Sequence, residues 1–157
     1  LHYVIPAYLF AKQKIKTLPE SDLQQWKHFR NLANQACELL LDYLQLEGEV
    51  RIWPHHFDTG IYIVTGNGMG IGFGQAMEDK LFGAPYFYMS GYPSVGKLEY
   101  ENLPILPKGK WEISENWQGA VLPLTDLNKL SEKEQVKAVK GYMVKAVNWF
   151  LTDPTKD

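Results

Sequence analysis

A chain of 157 residues is the size of one ordinary domain, and it is long enough to bury an apolar core without help from disulfides or metals. Hydrophobic residues make up 45% of it and charged residues 22%, a globular composition that excludes wholesale disorder. Sixteen Lys and Arg against eighteen Asp and Glu leave a net charge of -2; with no long single-sign block, the chain offers no electrostatic footprint for nucleic acid or anionic lipid.

The opening segment, 3–10, reads as an edge strand. Ser21-Asp22-Leu23-Gln24 has the form of a capping box after Pro19. Trp26, Phe29, Ala33, Ala36, Cys37, Leu40 and Leu44 then recur at three- and four-residue spacings, which predicts an amphipathic helix over about 21–46, closed at Gly48. Cys37 is the only cysteine. It has no internal disulfide partner, and inside an apolar helical pattern it reads as a buried structural thiol in a reducing, cytoplasmic setting. The longest mainly apolar run, 119–124, falls far short of the roughly 18 residues that a membrane span needs.

From Glu49 onward, short runs of β-branched and aromatic residues alternate with Gly, Pro and Asn, the texture of strands and turns. Strands are expected over 49–53, 60–65, 69–76, 86–92 and 118–122. Asn67-Gly68 between two apolar runs marks a hairpin. Residues 94–111 contain Pro104, Pro107 and Gly109 and are expected to form a long surface connection. Ser131 with Glu134 makes a second capping box. Val136, Val139, Met143, Ala146, Val147 and Phe150 then trace one face of a closing helix, and Lys137, Lys140 and Lys145 trace the other. Helix, strand block and helix together predict an α+β domain: an antiparallel sheet of about five strands with an N-terminal and a C-terminal amphipathic helix packed on one face.

The most unusual segment is Trp53-Pro54-His55-His56-Phe57-Asp58. In an extended backbone, His56 and Asp58 share one face, while Trp53, His55 and Phe57 share the other. An imidazole oriented by a carboxylate can move protons or ligate a metal near neutral pH. A metal needs three or four ligands, and Glu78 and Asp79, just past a strand, are the nearest suppliers, so His56, Asp58 and Glu78 form the candidate metal set. The plainer alternative packs one histidine between aromatics and lets Asp58 cap a turn.

Gly68, Gly70, Gly72 and Gly74 alternate with Met69, Ile71 and Phe73, so this strand has a bare side and an apolar side. No frame of the run fits a dinucleotide or phosphate-loop pattern, which argues against nucleotide binding. The bare side admits a ligand, a helix or an aromatic ring. Tyr86, Phe87, Tyr88 and Tyr92, with Trp53, Trp111 and Trp117, supply aromatic surface for a core, a pocket or an interface. No Gly-x-Ser-x-Gly, His-Glu-x-x-His or Cys-x-x-Cys signature occurs.

Three functional readings remain open. The first is a small-molecule binding domain whose aromatic-lined pocket is built around His55, His56, Asp58, Tyr88 and Trp117. The second is a metal-assisted hydrolase or isomerase working through His56, Asp58 and Glu78. The third is a non-catalytic assembly module that presents an exposed aromatic patch. The sequence indicates no particular cofactor and no oligomeric state.

Trp53-Pro54-His55-His56-Phe57-Asp58, Ile71-Gly72-Phe73-Gly74, Pro85-Tyr86-Phe87-Tyr88 and Trp117-Gln118-Gly119-Ala120-Val121-Leu122-Pro123 together resemble a bacterial protein family to which no activity is assigned. The resemblance spans about residues 20–151 and implies that this chain is the C-terminal part of a longer protein. Many relatives carry a G-F-S-P-G-D run where this chain has Gly72-Phe73-Gly74-Gln75-Ala76-Met77-Glu78-Asp79, so the likeness assigns no role to that turn.

Overall fold

The structure, a computed structural model, describes residues 17–54, 57–80, 82–152 and 155–156. The edge strand expected over 3–10 and the pair His55 and His56 lie outside the described residues.

The first helix, α1, runs over Glu20–Leu44. It starts one residue before the expected capping box, with Pro19 as the N-cap. The Pro19 carbonyl accepts from the N–H groups of Asp22 and Leu23 at 3.1 and 3.3 Å, while the Ser21 hydroxyl only reaches Asp22. Proline has no N–H to leave unsatisfied there, and Glu20 and Asp22 in the first turn complement the positive end of the helix dipole. The helix closes at Gln45 rather than Gly48. Gln45 takes the left-handed conformation (φ 53°), and the Leu46 N–H reaches back to the Leu41 carbonyl at 3.1 Å, a Schellman-type closure. Gly48 serves a different need, because a Cβ there would sit 2.7 Å from the Leu41 side chain.

The strands are β1 (Arg51–Trp53), β2 (Asp58–Val64), β3 (Met69–Ala76), β4 (Tyr86–Pro93), β5 (Lys97–Leu98), β6 (Lys110–Ile113), β7 (Gln118–Pro123) and β8 (Thr155–Lys156). Six of them make one antiparallel sheet in the order β1-β2-β3-β4-β7-β6, and β5 pairs with β8 separately. The hairpin at Asn67-Gly68 joins β2 to β3 through the four residues 65–68. Gly68 adopts φ 79°, and its N–H donates to the Thr65 carbonyl at 2.9 Å.

The expected long connection over 94–111 contains two short strands and is partly buried. Leu106 packs in the core, the Trp111 indole N–H donates to the Pro104 carbonyl at 2.9 Å, and β6 adds a sixth strand beyond β7. Its four residues are too short, and follow Gly109 too closely, to stand out in the sequence.

The closing helix α2, Glu132–Leu151, begins as expected. The Glu134 carboxylate accepts from the Ser131 N–H at 2.9 Å and from its hydroxyl at 2.7 Å. Both helices pack on one face of the sheet, and one contiguous core holds Phe29, Leu40, Ile61, Ile71, Phe73, Phe87, Leu122, Met143 and Phe150. Trp26 does not join it and is half exposed; Leu32 and Leu41 do. Cys37 is fully buried, and burial pushes its thiol up to about 12, so it packs rather than reacts. The Tyr142 hydroxyl ties α2 to β7 by donating to the Ala120 carbonyl at 2.6 Å. No helix among the described residues is long and apolar enough to cross a membrane.

Candidate functional site

Strand alternation sends Ile61, Ile71, Phe73, Phe87 and Met89 toward the helices, so their neighbours point to the opposite face, on which no helix of the described residues lies. The register places Asp58, Gly60 and Tyr62 of β2, Gly70, Gly72 and Gly74 of β3, and Tyr86, Tyr88 and Tyr92 of β4 side by side there. The glycines seat the rings. A Cβ on Gly74 would lie 2.9 Å from the Tyr88 hydroxyl, one on Gly72 would lie 3.3 Å from the Tyr92 ring, and one on Gly119 would lie 2.8 Å from the Trp117 indole. What lies against the bare side of the glycine strand is therefore the protein's own tyrosines.

Above these rings the face is concave. Asp58, Ala76, Asp79, Lys80, Tyr86, Tyr88, Tyr92 and Trp117 line a cavity of about 530 Å³. Phe82 supports two of its walls, lying 4.4 Å from Tyr86 and 6.1 Å from Trp117 between ring centroids. Grooves of about 820 and 810 Å³ lie elsewhere, but no buried carboxylate lines either of them.

Two tyrosine–carboxylate pairs organise the cavity. The Tyr88 hydroxyl donates to Asp58 Oδ2 at 2.5 Å, and the Tyr86 hydroxyl donates to Asp79 Oδ2 at 2.6 Å. Burial first, and the carboxylate partner second, push both phenols above their ordinary value of 10, so each stays protonated at neutral pH as a donor. Asp79 also accepts from the Phe82 N–H at 3.0 Å, which holds the loop after β3 against the rings.

Asp58 opens β2 directly opposite Trp53. Trp53 and Asp58 are therefore not on the opposite faces that an extended run would give them. The chain turns back between β1 and β2, Phe57 sits at φ 51°, and Trp53 and Asp58 share a face. Proline has no N–H for a ladder, so Pro54 suits that turn. Arg30 of α1 pins the turn by donating to the Phe57 carbonyl and, at 2.6 Å, to the Thr59 hydroxyl. Its guanidinium also packs 5.2 Å from the Trp26 ring and interacts with Asp58 through space.

Of the residues singled out from sequence, Asp58, Tyr88 and Trp117 border one cavity. Within the candidate metal set, Glu78 does not line it and His56 lies outside the described residues. No three His, Cys, Asp or Glu side chains among the described residues are placed to hold a metal. The aromatic set divides: Phe87 is core, and Trp111 packs on the helix side. Arg30 and Lys80 escaped the sequence reading. Nothing local announces an arginine whose partner lies 27 residues away. Compared with protein-family models, curated proteins and solved structures, the chain matches none.

Proposed function

We propose that this domain binds a small organic molecule in the cavity bordered by Asp58, Tyr88 and Trp117. The observation that carries this reading is a concavity of about 530 Å³ on the sheet face that no helix of the described residues covers, walled by aromatic rings and holding a buried carboxylate. Ligand sites combine apolar walls with a few convergent polar groups in a volume of roughly 300–1,000 Å³, and this cavity has both features. Tyr88 and Asp58 supply the polar contacts, and Trp117 and Tyr92 supply apolar area.

The test is a screen of a diverse library of water-soluble fragments by two-dimensional NMR of the isotopically labelled protein. Saturable shifts confined to Gly74, Tyr88 and the Trp117 indole N–H are expected. Fragments that gather at other surfaces, or none that bind, would reject the reading.

A further inference from the structure

The chemical class of the ligand follows from what the cavity holds and what it lacks, and the inference rests on the binding reading above. We propose that the cavity takes an organic cation: a substituted ammonium group on a small apolar body, with the ammonium beside Asp58 and among the rings of Tyr88, Tyr92 and Trp117.

The first support is Asp58 itself. Its side chain is buried, with 8% exposure for the residue, and its one hydrogen-bond donor among the described residues is the Tyr88 hydroxyl. No Lys, Arg or His nitrogen among them lies within ion-pair distance of it. Arg30 contributes a through-space attraction, but its hydrogen bonds go to Thr59 and Phe57. A carboxylate withdrawn from water without a paired cation is costly, and a bound cation would offset that cost.

The second support is the wall. Tyr86, Tyr88, Tyr92 and Trp117 bring four rings to one cavity, and the electron-rich faces of such rings attract ammonium groups. Both tyrosine hydroxyls spend their protons on carboxylates, so oxygen acceptors dominate the polar part of the lining. The one cation among the described residues of the lining is Lys80, which is exposed. Its long side chain can carry the charge out to water.

The experiment uses choline and its uncharged isostere 3,3-dimethylbutan-1-ol, titrated into the labelled full chain beside the fragment library. Choline is expected to shift Tyr88 and the Trp117 indole N–H saturably, with the alcohol weaker by about tenfold or more. Asp58→Asn should weaken choline by about tenfold and leave the alcohol unchanged, while Lys80→Met should tighten choline. Lys80→Met alters an exposed side chain, so it keeps the test decisive should Asp58→Asn unfold. Equal binding of the two probes, or fragments that occupy the cavity while choline does not, overturns the cation assignment and leaves the binding reading standing. An empty cavity across the whole library overturns both.

Discussion

Two aromatic clusters sit on opposite faces of the same sheet, and they use the same residue types differently. On the helix side, Tyr100, Trp111, Trp149 and Phe150 pack ring against ring, with Trp149 5.0 Å from Trp111 and 5.1 Å from Tyr100 between centroids. Their polar atoms close on backbone carbonyls, Trp111 on Pro104 and Tyr100 on Gln118. On the open side, Tyr86 and Tyr88 close on carboxylates instead, and a cavity remains above them. Backbone acceptors are present wherever the chain folds, so the first cluster is explained by packing alone. A buried carboxylate such as Asp58 beside empty space is not what packing selects, and that contrast separates a core from a site.

The largest effect should come from emptying the packed cluster. Phe150 is fully buried, and Phe150→Ala is expected to cost about 3–5 kcal/mol in urea unfolding; a loss under 1 kcal/mol would erase the distinction between the clusters. Next is Gly74→Ala, whose new Cβ would lie 2.5 Å from the Thr59 carbonyl oxygen of the neighbouring strand. Overpacking of that kind costs about 1–3 kcal/mol, and the Tyr88 hydroxyl, 2.9 Å from the same Cβ, should move away from Asp58 in the crystal structure of the variant.

The two faces should also part company in a matched pair of conservative changes. Tyr142→Phe removes the hydroxyl that donates to the buried Ala120 carbonyl and is expected to lose about 1–2 kcal/mol. Asp58→Asn removes a buried charge that has no ion pair among the described residues, and its stability should stay within about 0.5 kcal/mol of the parent. A loss for Asp58→Asn as large as that for Tyr142→Phe would move Asp58 from the site to the scaffold.

The alkaline limb offers a gentler comparison. Tyr88, Tyr86, Tyr100 and Tyr142 all hold their protons more tightly in the folded chain, burial being the leading cause for each; Tyr100 is pushed up to about 12. A raised folded value stabilises fully below the unfolded value, near 10, and that stability is lost as pH rises above it. Tyrosinate absorbance from these rings should therefore appear together with alkaline unfolding rather than before it. Smallest of all is Glu134, fully exposed and held below the usual carboxylate range by its hydrogen bonds to Ser131. Its contribution is present at neutral pH and disappears as the solution is acidified through its folded value, so Glu134→Gln should shift only the acid limb of a melting-temperature profile, and slightly.

Much of this architecture was legible along the chain, and the places where it was not share one cause. The α+β class, the boundaries of β3, the β2–β3 hairpin and the capped start of α2 all follow from patterns spanning a few residues: period two, a turn glycine, a serine with a glutamate three residues on. The start of α1 was misplaced because a capping-box pattern one residue inside the true end looks the same locally. Trp53 and Asp58 share a face rather than taking opposite ones, because the approach to β2 is pinned by Arg30, a helix residue far away in sequence.

The site divides along the same line. The sequence by itself determined which residue types were available, namely a lane of glycines, a run of tyrosines and an aspartate beside an aromatic motif, and it placed the glycines on one face of their strand. Only the tertiary structure decided that the tyrosines lie over the glycines, that Asp58 meets Tyr88 thirty residues away, and that Asp79 returns to Tyr86 across the mouth of one cavity. Alternation along a strand is a property of the backbone and can be read locally, whereas which strands become neighbours, and in what register, is set by the packing of the whole chain.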